Sequence, residues 1–335
     1  MEHTTGTEHH RHASVAGGRM REAPAIRPHW DDDHRRDEAL LAAIAVPRAA
    51  PAIFLELAKP RIVMLVLVTV VAGYSLAPTT AASWPVHLLV LIHALLGTAL
   101  VASGACAFNQ VAERDIDALM KRTAGRPIPS GRLSVLEATV FAVLTGATGV
   151  AYLALLVNVV TAALAAATLL SYALVYTPLK RRTPLATLIG AVPGALPIVG
   201  GWTAAGGVLD ARAVALFWIL FLWQLPHFLA LGWIYREEYA RAGLKLVSTS
   251  GDGRTTFRQA ALEAGALLPI SLTPTVLGMA GGVYLLGALL LSAYFVGVSI
   301  SAARAPSTPA ARRVFLASLA YLPTLLALMV MDRVT

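Results

Sequence analysis

Residues 88–123 read LLVLIHALLGTALVASGACAFNQVAERDIDALMKRT, an apolar run that turns polar at Asn109. The part from Leu88 to Phe108 is apolar almost throughout. It is long enough to cross a bilayer as a helix, which takes about 20 residues. Beyond it, Asn109, Glu113 and Asp117 recur at intervals of four. On a helix that interval stacks an amide and two carboxylates on one face, one turn above the next. Carboxylates at the edge of a membrane span are costly unless a metal or cations meet them. An acidic ladder opposite clustered arginine and lysine is the donor set that a metal–diphosphate site needs. The same spacing also fits a helix end that has emerged into water with solvated carboxylates. Asp115, off the ladder face, suits that second description.

Composition points the same way across the chain. Of 335 residues, 57% are hydrophobic and 14% charged, where a soluble domain carries about 25% charge. The chain is therefore expected to be an all-α polytopic membrane protein. A net charge of +8 reads as basic residues held on one side of a membrane rather than as a nucleic-acid surface. Cys106 is the only cysteine, which excludes an intramolecular disulfide and a cysteine metal site.

Residues 1–50 are polar and rich in His, Arg, Asp and Pro, and read as a disordered cytoplasmic tail ahead of a membrane domain at 51–335. His9, His10 and His12 form a cluster that can bind a transition metal, although a solvated tail explains it more simply. No apolar core follows the first basic residues, so no cleavable signal peptide is expected. Residues 38–57 fit a segment lying along the membrane interface. Nine apolar segments then follow, near 60–78, 86–112, 135–155, 158–177, 185–205, 211–235, 257–278, 282–302 and 313–331.

The connections between these segments set an orientation. Every second one is basic: Arg114, Lys121, Arg122, Arg126 and Arg132; then Lys180, Arg181 and Arg182; then Arg236, Arg241, Lys245, Arg254 and Arg258; then Arg304, Arg312 and Arg313. The alternate connections hold only Arg212. The positive-inside rule puts the basic connections and the N-terminus in the cytoplasm and the C-terminus outside.

Three further constellations lie at those same ends. Lys121, Arg122, Thr123, Arg126, Pro127 and Pro129-Ser130-Gly131 follow the ladder, and arginine can grip phosphate oxygens with a two-pronged fork. Topology alone explains Arg114 and Arg132 well, and explains Arg122 and Arg126 less well, since these sit immediately beyond the carboxylates. Tyr176-Thr177-Pro178-Leu179-Lys180-Arg181-Arg182-Thr183 closes the fourth segment. There Lys180 and Arg181 can reach an anion, and Tyr172 and Tyr176 can offer cation-stabilising ring faces. Trp223-Gln224-Leu225-Pro226-His227-Phe228 lies in the sixth segment, where Pro226 is expected to kink the helix and free backbone groups. His227 beside that kink fits a ligand and a packing residue equally well. Glu238 can supply a second half of a metal site opposite Asp117. His87 and His93 read as packing or interfacial residues.

Together these pieces resemble the UbiA superfamily of intramembrane prenyltransferases, and within it the branch that farnesylates protohaem IX. The matching residues run from Lys59-Pro60-Arg61-Ile62 through the Asn109, Glu113 and Asp117 ladder with Met120, Arg122 and Arg126-Pro127. They continue with Tyr176-Thr177, Lys180-Arg181, Gly200-Gly201-Trp202, Pro226-His227-Phe228, Glu238-Tyr239, Ala242-Gly243 and Tyr321-Leu322. Two departures stand out. Glu238 replaces the family's usual aspartate, and Leu244-Lys245-Leu246-Val247-Ser248 lacks the two prolines usual after Gly243.

The resemblance implies a nine-helix bundle in the bacterial cytoplasmic (inner) membrane. It implies farnesyl diphosphate and haem b as substrates, Mg²⁺ as cofactor and haem O as product, with a downstream haem A synthase as a partner. It implies Asn109, Glu113 and Asp117 as metal ligands, with Glu238 completing a second position. Arg122, Arg126, Lys180 and Arg181 would neutralise the diphosphate. Tyr176 and Lys180 join the ladder as catalytic residues. Lys59 and Arg61 are candidates for the haem propionates and His227 for the haem iron. The rival readings are a superfamily member with a quinone-precursor or chlorophyll-like acceptor and, more distantly, a secondary transporter.

Overall fold

The computed structural model describes residues 51–78, 83–249, 251 and 253–334. The expected tail at 1–50, its histidines and the first part of the 38–57 segment lie outside the described residues. What is described is helical nearly throughout, and one isolated bridge pairs Ala280 with Arg333.

A short helix, α1 (Pro51–Ala58), leads into α2 (Pro60–Leu76), α3 (Trp84–Ala112) and the single-turn α4 (Arg114–Leu119). Next come α5 (Val135–Leu156) and α6 (Val159–Leu170). The latter runs on through a π-helical turn, Ser171–Tyr176, and a last turn, Thr177–Leu179. Then follow α7 (Ala186–Ala204), α8 (Ala211–Ile234), the short α9 (Arg236–Arg241), a 3₁₀ turn (Val247–Thr249), α10 (Arg254–Val276), α11 (Gly282–Arg304) and α12 (Thr308–Met331). A long helix stands at each of the nine expected segments. Seven of them are long and apolar enough to cross a membrane. Of the other two, α2 is apolar but 17 residues long, and α10 opens on Arg254, Arg258, Gln259 and Glu263.

The starts of these helices are written locally. Ser134 and Glu137 form a reciprocal capping box on α5, which satisfies two otherwise unpaired backbone donors. Asn158, Asp210 and Ser307 cap α6, α8 and α12 through their side chains. Pro226 does not break α8, which stays helical from Ala211 to Ile234.

Packing is inverted relative to a soluble protein. Leu65, Leu136, Leu144, Leu155, Leu174 and Val276 stand more than half exposed on the outer faces, as lipid-facing residues do. Inside, small residues let helices touch. A Cβ added at Gly73 would meet the carbonyl oxygen of Ile198, and one at Gly201 that of Val70. So α2 and α7 pack backbone to backbone, the closeness on which membrane helices rely where hydrophobicity gives no drive. α1 is held by a hydrogen bond from Gln110 Nε2 to the Leu57 carbonyl, 2.7 Å, and packs Ile53, Phe54 and Leu57 against α3 and α5.

α10, α11 and α12 share a buried polar network. Tyr321 OH lies 2.6 Å from Ser271 Oγ and 2.9 Å from Ser292 Oγ. Tyr284 OH donates to the Ser271 carbonyl at 2.6 Å.

Candidate active site

The ladder does not lie on one continuous helix. α3 ends at Ala112, Glu113 leaves helical geometry (φ −102°, ψ 8°), and α4 begins afresh at Arg114. The four-residue relation survives nonetheless. Glu113 N–H bonds the Asn109 carbonyl at 2.9 Å, and Asp117 N–H bonds the Glu113 carbonyl at 2.8 Å. Asn109, Glu113 and Asp117 therefore still face one cavity of about 170 Å³.

Each ladder residue meets a cation. Lys59 Nζ donates to Asn109 Oδ1 at 3.1 Å. Lys180 Nζ pairs with Glu113 Oε1 at 2.7 Å, and Arg126 Nη1 with Asp117 Oδ2 at 2.6 Å. Asp117 is only 1% exposed. Burial raises its pKa above the ordinary carboxylate value, against the opposing pull of Arg126. Burial also works against the Lys180 charge, yet Tyr176 and Glu113 hold its pKa above that of an ordinary lysine. Two buried atoms here have no hydrogen-bond partner: Asn109 Nδ2 and Asp117 Oδ1. Buried polar atoms are nearly always paired, so such orphans mark a place built for something else.

Lys59 reaches the ladder by an unusual route. It joins α1 to α2 in the left-handed region (φ 54°), alone in this among the described non-glycine residues. That conformation costs an L-residue about 1–2 kcal/mol. Burial, and next the Arg126 guanidinium, lower its pKa to about 8.

The π-helical turn sets the opposite wall. Its widened turn lets the Thr177 N–H bond back to the Tyr172 carbonyl, which Thr177 Oγ1 also reaches at 2.8 Å. Such turns recur at functional sites. This one brings Tyr172 and Tyr176 together, ring centroids 5.2 Å apart, with Lys180 Nζ 4.4 Å above the Tyr176 ring. A Cβ at Gly190 would strike that ring. Arg122, exposed, bonds Tyr239 OH at 3.4 Å and stacks over Tyr235 at 5.0 Å.

The roof is the segment that departs from the family pattern. Leu244 and Leu246 line the polar cavity and pack with Ile116, Met120 and Tyr239. Lys245 N–H bonds the Lys180 carbonyl at 3.1 Å, tying the roof to the opposite wall.

A second cavity, of about 500 Å³, lies within the bundle and is lined by α2, α3, α6, α7, α8 and α12. Its lining is overwhelmingly apolar, with Thr168, Tyr172 and Gln224 among the polar exceptions. Two residues, Tyr176 and Phe228, line both cavities. The two spaces therefore adjoin, polar to apolar.

Not every expected site residue joins them. Arg122, Arg126, Tyr176 and Lys180 line the polar cavity with the ladder, whereas Arg61 and Arg181 are exposed and line neither. Glu238 also lines neither, although its neighbour Tyr239 does; Glu238 Oε2 is buried without a partner. His227 points elsewhere, with Nδ1 2.8 Å from Ser318 Oγ and its ring against Trp223, Phe228 and Phe315. His93 bonds Tyr152 OH at 2.7 Å, a packing role. Among the described residues no three His, Cys, Asp or Glu side chains cluster as a ready metal site. Sequence reasoning missed Thr187, Phe228 and Leu231 as lining residues. Their side chains are uncharged and sit within apolar helices; Phe228 stands in the Pro226-His227-Phe228 motif, but nothing in the pattern marks any of the three as lining a cavity.

Residues 66–322 match the model of the UbiA prenyltransferase family. Protoheme IX farnesyltransferase from Solibacter usitatus is 45% identical over 286 residues, covering 84% of this chain and 98% of that protein. Among solved structures, a digeranylgeranylglyceryl phosphate synthase superposes with a TM-score of 0.70 at 18% identity, covering 84% of this chain and 97% of that one. A UbiA homologue from Archaeoglobus fulgidus bound to GPP and Mg²⁺ superposes with a TM-score of 0.58 at 16% identity, covering 83% and 99%. At those identities the structures establish the fold.

Proposed function

The chain belongs to the UbiA prenyltransferase family, and from that premise we propose that it transfers the farnesyl group of farnesyl diphosphate to a vinyl group of haem b, giving haem O. One observation carries this reading. A polar cavity holding carboxylates and cations adjoins an apolar cavity of about 500 Å³. That is the polarity profile of an anionic head on a long apolar tail.

The head is met by Lys180, Arg122 and Arg126, whose positive charges neutralise diphosphate oxygens and stabilise them as the bond to carbon breaks. Arg181, exposed beside Lys180, adds to the same positive field. Asn109, Glu113 and Asp117 supply the oxygen donors that Mg²⁺ favours, and the unpartnered Asp117 Oδ1 fits a cation. Bound there, Mg²⁺ would supply further charge neutralisation of the leaving diphosphate. We assign Glu238, which also holds an unpartnered buried oxygen, to a second metal position reached by a side-chain turn.

Heterolysis of the C1–O bond leaves an allylic cation. The vinyl π electrons of haem attack C1 and form the carbon–carbon bond. Water then captures the cation on the porphyrin side and loses a proton. Tyr172 and Tyr176 offer ring faces to the allylic charge. Lys59, bonded to Asn109, orients the ladder. Arg61 is the candidate for a haem propionate. His227, bonded to Ser318, holds α8 against α12 and so fixes the cavity wall near the acceptor.

By the positive-inside rule the basic connections favour a polar cavity at the cytoplasmic end of an inner-membrane protein, with the C-terminus outside. A haem A synthase is the natural consumer of the product. The test is acceptor competition. Purified protein receives farnesyl diphosphate, Mg²⁺, and haem b mixed with an equimolar aromatic quinone precursor, and the products are weighed by mass spectrometry. Farnesylated, hydrated haem is expected. Prenylated aromatic ring with unchanged haem would overturn the acceptor assignment.

A further inference from the structure

We propose that Phe228 is a catalytic residue: its ring and that of Tyr176 form an aromatic waist that holds the allylic cation between head and tail cavities. The proposal rests on the prenyl-transfer reading above and gives a role to a residue that stands in the Pro226-His227-Phe228 motif without an assigned one.

The geometry comes from two helices that pass both cavities in the same sense. Along α8, Leu220 and Gln224 line the apolar cavity, Phe228 lines both, and Leu231 and Gly232 line the polar one. Along α6 and its π-helical extension, Thr168 and Tyr172 line the apolar cavity, Tyr176 both, and Lys180 the polar one. A helix rises about 1.5 Å per residue, so Phe228 lies about 6 Å from Gln224 on one side and from Gly232 on the other. The change from apolar to polar thus takes about two helical turns, and on both helices an aromatic ring stands at its middle.

A prenyl diphosphate has one such boundary, the C1–O bond. With the head on the ladder and cations and the tail in the apolar cavity, C1 falls at the waist. When that bond breaks, the electron pair leaves with the diphosphate and positive charge spreads over C1 and C3. A ring face stabilises such charge without reacting with it. Tyr176 already carries the Lys180 ammonium over its ring at 4.4 Å, which reduces what that ring can give a second cation. Among the described residues no cation stands over Phe228, whose contact is edge-to-face with His227 at 5.6 Å. Phenylalanine also has no oxygen to be alkylated by the cation, and its ring excludes water from C1.

The test grades the ring's electron density without changing its shape. Phe228 is replaced by 4-fluoro- and by 3,4,5-trifluorophenylalanine, and Phe228→Leu removes the ring. Single-turnover farnesylation of haem b, affinity for farnesyl thiodiphosphate and release of farnesol are measured on each full-length protein. The rate is expected to fall stepwise with fluorine number and by about 30-fold in Phe228→Leu. Affinity for the analogue should change by less than about two-fold in the fluorinated set, because the rings keep their packing. A larger share of the turnover in Phe228→Leu should appear as farnesol, since water then reaches C1. A flat rate across the fluorinated series, with the unmodified protein active, overturns the proposal alone. Unmodified protein that transfers farnesyl to no acceptor overturns the prenyl-transfer reading as well.

Discussion

Tyr321 and Asp117 are both buried in an apolar bundle, at 2% and 1% exposure, but their surroundings differ in kind. Tyr321 OH is shared between Ser271 and Ser292 within 2.9 Å, and the adjoining Tyr284 OH ends on the Ser271 carbonyl. No atom of that group appears among the unpartnered buried atoms, and no residue of it lines either cavity. Asp117 pairs with Arg126 through one oxygen and leaves the other orphaned at the edge of a void. The first cluster closes on itself and joins three helices. The second stays open, with charges held in place and capacity to spare. In a membrane bundle, where every buried polar group is expensive, that difference separates a polar group satisfied within the fold from one with a free oxygen at a cavity, as the proposed chemistry requires.

The sharpest way to break this contrast is Asp117→Ala. Turnover should fall at least about 10³-fold, the scale of losing a charge-stabilising group at the reacting centre. The unfolding temperature should fall by only a few degrees, because the Arg126 guanidinium left without its partner is partly exposed and borders the polar cavity, where water can solvate it. Steady-state assay and thermal unfolding of the same preparation check both. Near-normal turnover would dismantle the ladder assignment.

Lys180→Met should come next, lowering kcat/KM about 10²-fold by removing positive charge from the leaving group. Recovery of part of the rate in Lys180→Arg would tie the loss to charge rather than to shape. A smaller effect is expected of Gly190→Ala, whose Cβ would strike the Tyr176 ring. Pushing that ring by part of an ångström should lower kcat about 10-fold while the protein remains folded. Tyr321→Phe should reverse the pattern of Asp117→Ala. Loss of the shared hydroxyl should cost about 1 kcal/mol of stability and leave farnesyl transfer within about two-fold of the parent, since the residue's polar atoms lie away from both cavities. A large activity loss without destabilisation would show that the closed cluster also serves the chemistry.

The same contrast explains what the sequence disclosed. All nine helix positions were legible, because an apolar run of about 20 residues has few alternatives. Asn109, Glu113, Asp117, Arg122, Arg126 and Lys180 were legible because polar residues are rare in such a chain and these cluster at one set of helix ends. The break at Glu113 and the π-helical turn at Ser171–Tyr176 were hidden. No proline or glycine lies near Glu113 to announce the first, whereas the second has a local cause in Pro178, which offers no N–H to the Leu174 carbonyl four residues before it. Lys59 is a candidate for a propionate on its charge; that its left-handed backbone brings it to Asn109 is not legible in the sequence. His227 and Phe228 are adjacent in sequence, but one residue turns about 100° around a helix. Phe228 therefore faces the cavities while His227 faces Ser318. Pro226, expected to kink α8, lies within a helix that is continuous from Ala211 to Ile234. Hydropathy tells which helices exist; it does not tell which face of each one meets a void.

The most direct test of the account is the mass of haem recovered from purified protein after incubation with haem b, farnesyl diphosphate and Mg²⁺, in paired samples with and without a chelator. Haem enlarged by one farnesyl group and one water in the Mg²⁺ sample, and unchanged haem in the chelated one, is the predicted result. Unchanged haem in both samples, or equal product in both, would contradict it.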